Sequence, residues 1–236
     1  MRPVPALVPG ECQVWWADRS AANERLLDLL DPAESARWER FRLRPARELF
    51  AVAHALARLV VGGHLGVPAA DVRFDATCRR CGEPHGKPTV PGIELSLSHS
   101  GDAVVVAVTP TQPVGVDVEQ VSASAQDVSG LVLSGTERAA LDALPDDRRR
   151  AGLIRYWTRK EALLKATGDG LLVPLDSVVV SGPDEDPVVL RWIDGPTSPV
   201  HLTDLAAPAG YLATLATLGG GLGVVEYDAT ELLAEG

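Results

Sequence analysis

Gly115-Val116-Asp117-Val118-Glu119 sets two carboxylates two residues apart between valines. In a strand, alternate side chains leave one face, so Asp117 and Glu119 project together, about 6.5–7 Å apart along the backbone, while Val116 and Val118 turn to a core. Two such charges repel unless a cation sits between them. Hard oxygen donors on an open face suit Mg²⁺, with Mn²⁺ possible, particularly where a phosphate completes the shell. An exposed strand with one wet face would show the same pattern without a metal.

A second group is Trp157-Thr158-Arg159-Lys160-Glu161-Ala162-Leu163-Leu164-Lys165. On a helix, Trp157, Glu161 and Lys165 share one face. A carboxylate and two lysines there could supply a third metal ligand, a base and charge for phosphates. Read alone, the stretch is equally a surface ion pair worth about 0.3–0.5 kcal/mol. Ser96, Ser98, His99 and Ser100, entering the turn at Gly101, could form a phosphate nest from hydroxyls, imidazole and backbone N–H groups. No nucleophile-elbow pattern supports a serine hydrolase. Arg37, Arg40, Arg42, Arg44 and Arg47 form an anion-binding cluster or, with Glu34, Glu39 and Glu48, a solvated helix face.

The elements that must carry these residues are legible in outline. Cys12–Ala17 reads as a strand, Asp31-Pro32-Ala33-Glu34 as a capped helix start, and Pro45–Val61 as a helix stopped by Gly62-Gly63. Residues 75–92 hold turn formers. Ile93–Ser98, Ala103–Thr109 and Pro113–Glu119 read as three strands pairing antiparallel in succession. Ser134-Gly135-Thr136-Glu137 opens a short helix, and Arg148–Thr167 is a longer one stopped at Gly168. Ser177–Ser181, Val188–Ile193, Gly210–Thr217 and Leu222–Tyr227 complete the strands, with Gly219–Gly223 as a hairpin turn rather than a phosphate loop. The expected fold is α+β, with two similar lobes, residues 1–112 and 113–236, each a small antiparallel sheet packed with helices.

Composition narrows the function classes. At 46% hydrophobic and 23% charged residues, the 236-residue chain is an ordinary globular sequence rather than a disordered one. A net charge of −10 disfavours nonspecific nucleic-acid binding. The charge is uneven: residues 1–100 carry 13 Lys and Arg against 12 Asp and Glu, and residues 101–236 carry 9 against 20. No apolar run approaches the ~20 residues needed to span a bilayer. Met1-Arg2-Pro3-Val4-Pro5 lacks a signal-peptide core, and three cysteines cannot all pair, so a reduced cytoplasm is expected.

Ser98-His99-Ser100, then Gly115 to Glu119, then Trp157 to Lys165, with Gly86-Lys87-Pro88 upstream, closely resemble the motifs of 4′-phosphopantetheinyl transferases. The resemblance is to the larger, pseudodimeric class that activates peptide and polyketide synthases, and it covers residues 31–181. It implies transfer of the phosphopantetheine arm of coenzyme A to a serine of an apo carrier protein, releasing 3′,5′-ADP. By position, Asp117, Glu119 and Glu161 would hold Mg²⁺. Glu161, directly or through water, would be the base for the serine. Lys160 and Lys165 would neutralise phosphate charge, with Lys165 nearest the reacting phosphorus. Ser98 and His99 would bind coenzyme A phosphates, Gly86, Lys87 and Pro88 would border the adenine, and Arg37 and Arg47 would approach the 3′-phosphate. The resemblance also implies a monomer acting on an acyl, peptidyl or aryl carrier. Some relatives carry lysine where this chain has Glu34.

Two other readings compete with transfer: a coenzyme A-binding regulator without turnover, and a metal-dependent nucleotide pyrophosphohydrolase. The three carboxylates with Lys165 argue against the regulator, since binding alone would not need that acidic set. Cys78-Arg79-Arg80-Cys81 with His85 offers three zinc ligands where a structural site usually needs four, with Cys12 as the remaining candidate.

Overall fold

Seven consecutive buried residues, Ala103–Thr109, form a strand covered on both faces, as an interior strand must be. The computed structural model to which it belongs describes residues 4–78, 81–83, 86–121, 129–170 and 173–235. The chain divides into two units, Met1–Thr111 with Leu222–Gly236, and Gln112–Gly221.

In the first unit the strands are β1 (Glu11–Asp18), β2 (Glu94–Ser100), β3 (Ala103–Thr109) and β9 (Gly223–Asp228), in the order β2-β3-β1-β9. β1 is antiparallel to β3 and parallel to β9. Helix α1 (Pro32–Arg40) starts on the expected capping box: Asp31 accepts from the Glu34 N–H, and Glu34 accepts from the Asp31 N–H. Helix α2 (Arg44–Leu65) packs Val52, Leu56 and Val60 into a core with Trp15, Val104, Val106 and Leu233. α2 is long and apolar enough to cross a bilayer, but most of its apolar window is buried in this core. The helix runs past Gly62-Gly63 to Gly66, which takes the left-handed conformation at φ 69°. Gly62 serves packing instead, since a Cβ there would sit 2.9 Å from the Val67 carbonyl oxygen, where the chain turns back.

The second unit holds β4 (Val114–Gln120), β7 (Val200–Asp204) and β8 (Tyr211–Leu218) in the antiparallel order β4-β8-β7, beside a pair formed by β5 (Val178–Val180) and β6 (Val189–Trp192). Helices α3 (Ser129–Val132), α4 (Gly135–Asp142) and α5 (Asp146–Thr167) belong here, and α6 (Thr230–Glu235) closes the chain in the first unit. Leu153, Tyr156, Leu163 and Leu164 of α5 join Val178, Val180 and Ala216 in the core. The class is α+β, small antiparallel sheets packed against helices, and each unit sets one 22-residue helix against its sheet.

Three expectations are corrected. β4 does not pair with β3, because both edges of β3 are taken by β2 and β1; β4 pairs with β8 instead. Gly219–Gly223 is no hairpin, because β8 is flanked by β4 and β7 while β9 runs along β1. Residues 222–236, expected in the second lobe, complete the first unit's sheet and core. β7 lies outside the expected strands: Val200 and Leu202 alternate with His201 and Thr203, but over five residues with only Leu202 buried the pattern is too short to stand out.

Candidate active site

β4 and α5 bring the acidic groups together. Val114, Val116 and Val118 are fully buried, so the strand's opposite face presents Asp117 and Glu119. Asp117 is itself nearly buried, opposite Thr214 of β8. α5 lies flush on β4 at Gly115, where a Cβ would run into the Ala162 carbonyl and the Ala166 nitrogen. Only glycine allows that approach, and it sets Glu161 and Lys165 beside Asp117. Lys165 Nζ donates to Asp117 Oδ1 at 2.7 Å. Glu161 Oε1 is buried and accepts no hydrogen bond. Burial raises the Glu161 pKa, and Asp117 and Glu119 raise it further against the lowering pull of Lys165. Three carboxylates and one ammonium therefore share one field. Among the described residues, no three His, Cys, Asp or Glu side chains already converge as a metal cluster; Asp117 meets the lysine instead.

Two buried cations, immediately before Glu161 in sequence, fix the rotation of α5. Arg159 forks onto Asp204 of β7 at 2.7 Å and onto the carbonyls of Ser181, Gly182 and Glu185. Lys160, with no exposed surface, donates to Glu137 Oε2 at 2.6 Å, to Val132 O at 2.7 Å and to Leu175 O at 3.0 Å. All three ammonium hydrogens are thus accounted for. Lys160 is a structural cation inside the second unit, and its expected contact with phosphate is corrected. Burial lowers its pKa, while Glu137 works the other way. Glu137 also accepts from the N–H groups of Ser134 and Val180, so one carboxylate ties α4, α5 and β5 together.

The other expected residues lie in the first unit. Ser98 is buried and His99 exposed at the end of β2. Gly86 sits tightly on the backbone of residues 76–78, its N–H donating to Ala76 O at 2.6 Å, and Lys87 lies 3.7 Å from Glu94. Pro88 is half-buried beside them. Exposed Arg37 stacks on Phe50, whereas Arg47 stacks on Trp38 and bonds the Phe41 carbonyl at 2.7 Å, clamping the turn between α1 and α2. Glu34 is taken up by partners within the first unit. It bonds His54 at 2.8 Å and the fully buried Arg58 at 2.7 Å. Burial alone would raise its pKa, but these two partners hold it at about 2. Of the zinc candidates, Cys12 is a core thiol pushed up to about 12 by burial, Cys81 is exposed, and His85 lies outside the described residues.

Residues 113–216, which carry both β4 and α5, match the sequence model of the 4′-phosphopantetheinyl transferase superfamily. The chain is 30% identical over 227 residues to the 4′-phosphopantetheinyl transferase HetI of Nostoc sp. strain PCC 7120, covering 91% of each chain. It belongs to the 4′-phosphopantetheinyl transferases. It is also 27% identical to the 4′-phosphopantetheinyl transferase Sfp of Bacillus subtilis strain 168, over 80% of this chain and 82% of that one. The holo-[acyl-carrier-protein] synthase of Thermotoga maritima aligns in structure with 46% of this chain and 64% of its own, at a TM-score of 0.39 and 20% identity; the assignment rests on the sequence relatives instead.

Three residues that build this arrangement are not singled out by type and spacing: Gly115, Arg159 and Glu137. Gly115 heads the acidic pentapeptide, and a glycine inside a strand is the usual mark of a close backbone approach. Glu137 is legible as a capping residue. Nothing within its own segment points to Lys160, 23 residues on.

Proposed function

We propose that the chain transfers the 4′-phosphopantetheine arm of coenzyme A to a serine of an apo carrier protein, leaving 3′,5′-ADP, with Mg²⁺ as the metal. One observation carries the reading. In a chain of this family, Asp117, Glu119, Glu161 and Lys165 share one field where β4 meets α5. The donor set fits a hard divalent cation: three carboxylates, among them a buried Glu161 oxygen that accepts no hydrogen bond. Asp117, Glu119 and Glu161 would hold it, and when bound it supplies charge neutralisation on the pyrophosphate.

The remaining chemistry falls to the chain's own side chains. Glu161, whose burial and acidic neighbours raise its proton affinity, takes the proton of the incoming serine hydroxyl, directly or through water. Lys165 donates to phosphate oxygens as charge builds on the departing side. Ser98 and His99 bind coenzyme A phosphates, Gly86, Lys87 and Pro88 border the adenine, and Arg37 and Arg47 meet the 3′-phosphate; these roles rest on the motif resemblance alone. The resemblance to the pseudodimeric class likewise supports a monomer acting on carrier domains of peptide or polyketide synthases, and three cysteines that cannot all pair support a reduced cytoplasm.

Mass spectrometry of an apo carrier domain incubated with the protein, coenzyme A and Mg²⁺ tests the reading. The expected result is one phosphopantetheine added per carrier serine, with 3′,5′-ADP released and both lost on adding a chelator. Cleavage of coenzyme A with the carrier unmodified would overturn it in favour of a pyrophosphohydrolase. Binding without any cleavage would leave a coenzyme A-binding regulator.

A further inference from the structure

Lys165 has two claims on it. Its ammonium bonds Asp117 Oδ1 at 2.7 Å, and it is the cation that offsets the pull of Asp117 and Glu119 on Glu161. The proposed chemistry needs the same ammonium on a phosphate. Of the two partners, the lysine is the one able to move. Asp117 is 4% exposed and fixed in the β4–β8 ladder, while Lys165 is 27% exposed on a flexible four-carbon stem.

We propose that Lys165 is the site's resident counter-ion. It holds Asp117 until a pyrophosphate draws it away, and that transfer releases the Asp117 oxygen to a divalent cation. This inference rests on the metal-dependent transferase reading and concerns the order and coupling of binding. Three carboxylates and one ammonium leave a formal charge of −2, so a divalent ion is attracted. At Asp117, however, it meets an ammonium already seated on one of the two oxygens. A pyrophosphate removes that competitor and adds oxygen ligands of its own. Metal and coenzyme A must then bind with positive coupling, and the coupling must be reciprocal. The moving part is one side chain, with no rearrangement of backbone.

Titration of Mn²⁺ followed by electron paramagnetic resonance, with and without coenzyme A and with no carrier present, reads this without turnover. Metal taken up by coenzyme A in a protein-free control is subtracted. In the unaltered protein, coenzyme A is expected to tighten Mn²⁺ binding by about fivefold or more. Lys165→Met is expected to bind Mn²⁺ about tenfold tighter than the unaltered protein when coenzyme A is absent, because a competing positive charge is gone. In that variant the further gain from coenzyme A should shrink. Lys165→Gln, which keeps a polar head without charge, should behave as Lys165→Met does, and unchanged thermal midpoints establish that both are folded. Equal or weaker Mn²⁺ binding by both variants without coenzyme A would overturn the inference while leaving the transferase reading in place. Absence of Mn²⁺ binding to the unaltered protein under either condition would overturn both, and identifies itself by that measurement alone.

Discussion

Gly115 of β4 lies so close to Ala162 of α5 that a Cβ on Gly115 would collide with the Ala162 carbonyl oxygen. Both sides of the contact are backbone, so neither can swing away as a side chain would. Gly115→Ala must push α5 off the strand, taking Glu161 and Lys165 with it. A destabilisation of about 3 kcal/mol, the upper end for overpacking, is expected. The check is a urea unfolding curve beside a carrier-modification assay; a variant with normal stability and rate would show that α5 tolerates displacement.

Lys160 and Glu137 form a buried pair, 0% and 2% exposed in their side chains. Lys160→Met strands a buried carboxylate, and Glu137→Gln strands a buried ammonium, so each single change should cost about 3–5 kcal/mol. Lys160→Met with Glu137→Met removes both charges and should recover much of that loss. Where the Lys160→Met protein remains folded, its KM for coenzyme A should be unchanged. A selective rise in that KM without loss of stability would return Lys160 to the phosphates.

Asp117→Asn should abolish carrier modification while moving the thermal midpoint little. The substitution removes one of three crowded like charges, and the Lys165 side chain, 27% exposed, still reaches water. Calorimetry beside the mass-spectrometric assay separates the two effects. Wild-type turnover at millimolar Mg²⁺ would remove Asp117 from the metal set.

Glu34 gives the first unit a defined acid sensitivity. Its pKa is depressed to about 2 in the folded protein from a usual 4.5, so the unfolded chain binds its proton more readily. The stabilisation is fully present above pH 4.5 and is lost as pH falls toward 2. Glu34→Gln should therefore lower the thermal midpoint at pH 7 and reduce the loss of stability across that acidic window. Parallel melts from pH 7 to pH 2.5 check it, and superimposable pH profiles for the two proteins would refute the assignment.

The sequence makes the acidic and basic faces of the candidate site plain and leaves their support hidden, for a physical reason. Asp117 and Glu119 are two residues apart, and Glu161 and Lys165 are one helical turn apart, so local periodicity alone places each pair on one face. What holds those faces together is non-local. The ion pair of Lys160 with Glu137 spans 23 residues, and that of Arg159 with Asp204 spans 45. A lysine in sequence does not declare itself buried, and beside Glu161 it reads naturally as phosphate-facing. The capping box at Asp31 is legible in its own four residues, but that Glu34 also serves Arg58 and His54 depends on α2 lying across it. β9 reads as a strand from its own residues, yet its partner β1 begins more than 200 residues earlier.

That pairing of β9 with β1 gives the molecule a schedule. The second unit is one continuous stretch, 112–221, and every residue it needs has been synthesised before β9 emerges from the ribosome. The first unit must wait, because Leu232 and Leu233 of its core and the edge strand beside β1 are made only after residues 112–221. During synthesis, β1 is therefore left with an unpaired edge, the sort of surface that recruits other chains. Loss of residues 222–236 would wound the unit whose other residues are made before the second unit, leaving β4 and α5 built but their companion unit open along one side.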